Sequence, residues 1–170
     1  MGHDLPAAIG AAVARGGRRV ICLAGDGSIQ MNIQELQTLV HHRLPVKVFV
    51  LNNNGYLSIR TTQSNFFGRL VGESAASGVS FPDTVKLGQA YGIPSWRIDR
   101  PEFADQIGQA LESTGPALCE VMLDPAQVFE PKLSSKQLPD GRMVSAPLED
   151  MFPFLDRDEL LSNLLIPPQE

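Results

Sequence analysis

Arg19-Val20-Ile21-Cys22-Leu23-Ala24-Gly25-Asp26-Gly27-Ser28 is the stretch on which the fold turns. Residues 19–24 form a short, continuous apolar run, the pattern of a strand buried on both faces. It leads straight into Gly25-Asp26-Gly27-Ser28. Residues 46–51 (VKVFVL) read as a second buried strand and end in Asn52-Asn53-Asn54-Gly55. Between the two, Ile33, Leu36, Leu39 and Val40 mark one face of a helix over 32–42. Upstream, the Ala-rich segment 5–14 reads as a helix stopped by Gly16-Gly17. Downstream, the pattern predicts a helix over 83–91, a strand over 95–98, a helix over 101–113 with proline at its start, and a strand over 117–123. Residues 56–80, rich in Ser, Gly, Asn and Thr, read as a loop. Strands separated by helices predict an α/β fold: a parallel sheet with helices on both faces.

Composition bounds the function. The 170 residues carry 14 basic and 19 acidic side chains, a net charge of −5, which argues against nucleic acid or an anionic membrane as partner. No apolar run approaches the ~20 residues that span a bilayer. The N-terminus lacks the basic-then-apolar layout of a signal peptide. Cys22 and Cys119 both fall in strand-like runs and read as core residues of a reduced, cytoplasmic protein. Beyond Asp124 the character changes. Residues 125–170 hold seven of the 13 prolines and only 156–165 looks helical, so the expected organisation is a domain over 1–125 and an extended tail with a short helix over 126–170.

In a parallel α/β sheet, ligands bind at the carboxyl ends of the strands. Two such ends here carry the Gly-Asp-Gly-Ser and Asn-Asn-Asn-Gly turns. Each alone is an ordinary turn sequence. Together, glycines that admit a ligand to the backbone and a following helix whose amides point back suit a phosphate or diphosphate. A carboxylate beside phosphate needs a cation. Asp26 could give one oxygen, Asn53 an amide oxygen and a loop carbonyl a third, with diphosphate and water completing the shell that Mg²⁺ prefers. Dinucleotide and triphosphate binding fail on the residues: neither G-x-G-x-x-G nor G-x-x-x-x-G-K-[ST] is present.

Gly25-Asp26-Gly27-Ser28, followed 27 positions after Asp26 by Asn53 within Leu51-Asn52-Asn53, resembles the thiamine diphosphate fingerprint, which begins Gly-Asp-Gly and ends Asn-Asn. The intervening Asn32-Ile33-Gln34-Glu35-Leu36 and Leu44-Pro45-Val46-Lys47-Val48 resemble the acetolactate synthase branch. Met1-Gly2-His3-Asp4-Leu5-Pro6-Ala7-Ala8-Ile9-Gly10 is similar to that branch's Met-Gly-Tyr-Gly-Leu-Pro-Ala-Ala-Ile-Gly. The resemblance covers about residues 1–125 and implies the diphosphate domain of the thiamine diphosphate fold. It implies that Asp26, the Asn53 side chain and the Gly55 carbonyl hold Mg²⁺. Gly25, Gly27 and Ser28 would meet the diphosphate, and Met1 would stand where the family has a large apolar residue under the bent cofactor. The implied function is the cofactor-binding part of an enzyme that decarboxylates a 2-oxo acid and transfers the C2 carbanion to a second carbonyl. Non-oxidative decarboxylation alone, or a non-catalytic remnant, are the alternatives.

The family's activating Glu lies on a pyrimidine-binding domain. None of Glu35, Glu73, Glu102, Glu112 or Glu120 stands in its context, so no catalytic residue is assigned within the chain. That domain, on the same or another chain, and a homo-oligomer are the implied partners. Two strands that family members carry before the segment matching Met1 are expected to be lacking. Met1 is therefore read as an internal methionine of a truncated product or fragment, with an apolar sheet edge along 19–24 and no activity when isolated. Three features depart from true acetolactate synthases: His3-Asp4 for Tyr-Gly, the stretch Tyr56-Leu57-Ser58-Ile59-Arg60-Thr61-Thr62-Gln63, and the tail around Pro147-Leu148-Glu149-Asp150-Met151. They leave the 2-oxo acid and acceptor open. His3 is a candidate for substrate contact. His41 and His42 suit a helix C-terminus. Phe66, Phe67 and Phe81 either line an entrance or pack under a lid.

Overall fold

Apolar runs separated by helical segments build a parallel sheet covered by helices. A computed structural model of the chain describes residues 1–100, 103–133, 135–137 and 140–166. Pro101 and Glu102, which the sequence places at a helix start, and the tail prolines Pro139, Pro167 and Pro168 lie outside the described residues. The chain divides into two units, Met1–Ala126 and Gln127–Glu170.

In the first unit, β1 (Val20–Gly25), β2 (Val46–Asn52), β3 (Ser95–Ile98) and β4 (Ala117–Met122) form a parallel sheet in the order β1-β2-β4-β3. β2 and β4 take the centre, while the wholly apolar β1 lies at one edge. Gly25 is in register with Leu51, and Asn52 with Met122, so the ends of three neighbouring strands line up. On one face, α1 (Asp4–Ala14) and α3 (Glu35–His41) press Leu5, Ala8, Ala12, Leu36 and Leu39 onto Cys22, Ala24, Val46, Val48 and Val50. α5 (Thr84–Ala90) packs on β3. On the other face, α6 (Ala104–Glu112) buries Ala110 against Phe49, Ile98 and Cys119. The fold is thus α/β with helices on both faces of a parallel sheet, as the alternation predicts.

Three local readings are corrected. Residues 56–80 are not all loop: α4 spans Leu57–Phe66, and a 3₁₀ turn spans Ala75–Ser77. α4 buries no side chain, so it has no apolar stripe from which to read it. The helical segment after β1 starts at Asp26 itself, with α2 (Asp26–Ile29) and a 3₁₀ turn (Gln30–Asn32) preceding α3. β1 is buried on one face only: Ile21 is 55% and Leu23 65% exposed, because β1 is an edge strand and the α6-side core takes no residue from it.

Lys47 is fully buried in β2 and donates from Nζ to the carbonyls of Ser113 (2.6 Å) and Gly115 (2.7 Å) and to Ser113 Oγ (2.8 Å). It thereby closes the turn between α6 and β4 at the end of the sheet away from Gly25 and Asn52. Burial holds its ammonium below the usual lysine range, with Arg19 adding repulsion. Cys22 and Cys119 are buried and free, and burial pushes each thiol up to about 11.

In the second unit, β5 (Ser135–Gln137) pairs antiparallel with β6 (Met143–Ser145), Lys132 bridges Phe152, and α7 (Arg157–Asn163) is capped by Asp156. Arg157 grips Asp150 with two bonds of 2.6 and 2.9 Å. No helix among the described residues is long and apolar enough to cross a membrane.

Close packing of α5 on β3 gives a test. A Cβ on Gly88 would stand 2.0 Å from Ser95 Oγ and 3.2 Å from Leu118 Cδ2. Gly88→Ala should therefore cost about 2 kcal/mol in urea unfolding, despite the better helix propensity of alanine. Adding Ser95→Ala removes the nearest atom and should recover part of that loss.

Candidate functional site

The strand ends that align in the sheet carry the two turns singled out in the sequence. Asp26 opens α2 directly after β1. Its carboxylate is 3% exposed, and it reaches across to the turn after β2: Oδ2 accepts the Gly55 N–H at 2.9 Å and Oδ1 accepts the Gly27 N–H at 2.9 Å. Burial raises its pKa above the ordinary aspartate value, while those two N–H groups and the nearby Arg60 charge pull the other way. The result is a desolvated carboxylate with two hydrogen bonds and, among the described residues, no ion pair to its own oxygens.

Asn53 follows β2 and is 8% exposed; its Oδ1 is buried without a hydrogen-bond partner among the described residues. A buried amide oxygen left unpaired costs about 1–3 kcal/mol. Its side chain is explained if something absent from the protein's own atoms accepts the lone pairs, and a cation does so. The donors available are one carboxylate, one amide oxygen and backbone carbonyls; among the described residues no cluster of three or more His, Cys, Asp or Glu exists to suit a softer metal. That hard, oxygen-only, low-charge set fits Mg²⁺, which keeps waters and phosphate oxygens in its shell.

The glycines have a different use from the one their motif suggests. A Cβ on Gly27 would lie 2.3 Å from the Tyr56 ring, and Tyr56 stands edge-on to Phe81 at 5.2 Å. A Cβ on Gly55, at φ +156°, would meet the Glu73 carbonyl oxygen at 2.2 Å. Of these three glycines, Gly25 alone would take a Cβ without a clash, its nearest neighbour being Ser28 Cβ at 4.0 Å. Ser28 does not cap a helix; its Oγ accepts the Gly2 N–H at 2.8 Å, and Asn32 Nδ2 donates to the Gly2 carbonyl at 2.6 Å. These bonds seat the chain start beside the Gly25–Ser28 segment, where Met1 is exposed. His3 is exposed as well, and Phe66 and Phe67 project to solvent from the end of α4.

Sequence reasoning missed the residues that brace the second turn. Arg60 of α4 donates from Nε to Glu73 Oε2 at 2.6 Å, from Nη1 to the Pro125 carbonyl at 2.7 Å, and from Nη2 to the carbonyls of Asn53 and Asn54 at 3.5 and 3.4 Å. Glu73 is 2% exposed, and its main-chain oxygen accepts the Tyr56 N–H at 2.8 Å. Burial pushes the Glu73 carboxyl up, but the Ser74 hydroxyl, Arg60 and Ser77 outweigh it and hold the group below the usual glutamate range. A cleft of about 480 Å³ opens beside Arg60, between Asn54, Ser74 and Pro125; neither Phe66, Phe67 nor Phe81 lines it. The paired charges of Arg60 and Glu73 lie 13 residues apart across α4 and the turns after it, a distance at which no local motif announces them.

Comparison with known proteins gives this geometry its context. Residues 1–121 match the family described as "Thiamine pyrophosphate enzyme, C-terminal TPP binding domain". The chain is 40% identical over 124 residues to the acetolactate synthase large subunit of Pyropia yezoensis, covering 71% of this chain and 21% of that one. It is 40% identical over 128 residues to the acetolactate synthase isozyme 2 large subunit of Escherichia coli K12, covering 73% and 22%. Against the chloroplastic acetolactate synthase 2 of Brassica napus it is 38% identical over 128 residues, covering 72% and 20%. The chain thus spans about a fifth of the length of the curated relatives it matches.

The Arg60–Glu73 pair sets an acid limb. A carboxyl whose folded pKa is depressed contributes stability above its unfolded value, near 4.5, and loses it as pH falls through the folded one. Glu73→Gln should destabilise the chain by about 3 kcal/mol at pH 7. The gap from the parent should narrow steadily below pH 4.5, read as denaturant midpoints at pH 7, 5 and 4. A constant gap across that range would show that the ionised carboxylate is not what Arg60 holds.

Proposed function

We propose, because this chain belongs to the thiamine pyrophosphate enzymes and carries their C-terminal TPP binding domain, that it is the cofactor-holding part of an acetolactate-synthase-like enzyme acting on 2-oxo acids. The buried Asn53 Oδ1, without a hydrogen-bond partner among the described residues and two residues before the Gly55 that bonds buried Asp26, is the observation that carries this reading. Asp26 and Asn53 would hold Mg²⁺ with the Gly55 carbonyl. Gly25, Gly27 and Ser28 would meet the diphosphate. When bound, thiamine diphosphate supplies a carbon nucleophile and electron sink for loss of CO₂ from a 2-oxo acid and bond formation to a second carbonyl.

The chain's own residues bind and orient rather than react. Burial of Asp26 excludes water from its oxygens, which strengthens its attraction for a cation in the low local dielectric. The Gly55 N–H and Gly27 N–H fix the two oxygens before any ligand arrives, so no reorganisation is needed on binding. Met1, seated by the Gly2–Ser28 bond, has its side chain free to meet the cofactor. Residues 1–125 would form this domain and 126–170 an appended tail. A pyrimidine-binding domain carrying the activating Glu, on the same or a neighbouring chain of an oligomer, completes the proposed enzyme. The isolated chain is expected to bind without turning substrate over.

Calorimetric titration of thiamine diphosphate into the chain, with Mg²⁺ and with EDTA, tests the assignment. Binding should require Mg²⁺, and Asp26→Ala should weaken it by at least a hundredfold. Undiminished Mg²⁺-dependent binding by Asp26→Ala would sink the ligand assignment.

A further inference from the structure

Glu120 lies in the middle of β4, 2% exposed, with both carboxylate oxygens in use. Oε1 accepts from Asn52 Nδ2 at 2.7 Å, and Oε2 accepts from Arg97 Nε at 2.7 Å. Arg97 continues from Nη2 to Asp83 Oδ2 at 2.9 Å, and Asp83 caps α5 by accepting the Lys86 N–H at 2.9 Å. The chain of bonds therefore runs from a helix cap, across β3 and β4, to the last residue of β2. From there it takes one more step: Asn52 Oδ1 accepts the Asn54 N–H at 2.9 Å. Asn54 sits at φ +57°, the left-handed region that costs a non-glycine residue about 1 kcal/mol. That conformation turns the backbone so that Gly55 N–H reaches Asp26 Oδ2.

We infer that Glu120 is a positioning residue for the cofactor site: its carboxylate, held by Arg97, sets which way the Asn52 amide faces and so fixes the turn that carries Asn53 and Gly55. The argument is one of donor and acceptor order. A carboxylate paired with a guanidinium only accepts, so it faces the NH₂ end of Asn52 and leaves the oxygen end facing Asn54. Were the amide reversed, its NH₂ group would confront the Asn54 N–H, two donors with nothing between them. The ion pair, buried on its Glu120 side, thus selects one turn conformation out of two, a specificity role that buried charge can serve. This deepens the reading of Asp26 and Asn53 as Mg²⁺ ligands and rests on it.

Glu120→Gln breaks the order, because an amide cannot accept from Asn52 and Arg97 at once. Adding Asn52→Asp rebuilds it with the roles exchanged. The new amide at 120 donates to the carboxylate at 52, whose second oxygen still accepts the Asn54 N–H, and the amide oxygen at 120 still accepts from Arg97. Two readouts are taken on the full chain: Mg²⁺ affinity by calorimetry with thiamine diphosphate present, and hydrogen exchange at the Asn54 amide with no ligand. Glu120→Gln should weaken Mg²⁺ at least tenfold and speed Asn54 exchange about tenfold, and the paired substitution should return both to within about threefold of the parent. Asn52→Asp alone, which sets two carboxylates face to face, should be the worst of the three. Parent-like affinity and exchange in Glu120→Gln overturn the inference, as does a folded pair that recovers neither. If Glu120→Gln alone does not fold, recovery in the pair still decides the matter. A parent chain without Mg²⁺ response, or Asp26→Ala with a full one, overturns the metal reading, while Asn54 exchange still reports whether Glu120 sets the turn.

Discussion

The bond between Asp26 and the Gly55 N–H joins the ends of two neighbouring strands, and the candidate site exists only while it holds. Parallel strands leave their final residues without ladder partners, so the loops beyond them must find bonds of their own. Here a single buried carboxylate does this for both turns at once, taking one N–H from its own segment and one from the next strand's turn. The same group is desolvated, and the helix that begins there offers only partial positive charge in return. A desolvated carboxylate of this kind would gain more from a neighbouring cation than a solvated one.

Around that bond, two braces from different elements reach the second turn. Arg60 comes from α4 and touches the carbonyls of Asn53 and Asn54 while neutralising Glu73. Glu120 comes from β4 and engages the Asn52 side chain. Both are ion pairs whose acidic member is almost wholly buried, at 2% exposure for Glu73 and Glu120 alike. Such pairs add little net stability against apolar packing, but each leaves a costly unpaired charge if broken. They therefore penalise alternative conformations of the turn more than they reward the native one.

Much of this was legible in the order of residues. The apolar runs at β1, β2 and β4 read as strands and are strands, but their order in the sheet, with β1 at an edge, is not written in them. Asp26 and Asn53 were singled out because two glycine-bearing turns at strand ends, 27 positions apart, resemble the thiamine diphosphate fingerprint, and both side chains are buried. α4 was not legible, since Thr61, Thr62, Gln63 and Ser64 interrupt its few apolar residues and none of its side chains is buried. It is held through Arg60 and through Gln63, whose amide exchanges two bonds with the backbone of Val71. The exposure of Ile21 and Leu23 was half legible: their run reads as buried, whereas only position in the sheet order makes an edge. Glu73 and Glu120 could be found as acids but not as braces, because their partners come from other elements and sequence carries no trace of that encounter. The glycines at 27 and 55 follow a motif, yet the atoms that exclude a side chain there belong to Tyr56 and Glu73, which the motif does not mention.

The two thiols have a use that neither core nor site reveals. Cys22 sits in the layer under α1 and α3, and Cys119 in the layer under α6. Both are buried, and both are pushed up to about 11, so at neutral pH an alkylating reagent finds almost no thiolate until the layer opens. The protein thus carries one chemical clock on each side of its sheet. Pulsed labelling followed by mass measurement would time the breathing of the two layers separately, and a ligand seated at the strand ends would slow one clock, the other, or both.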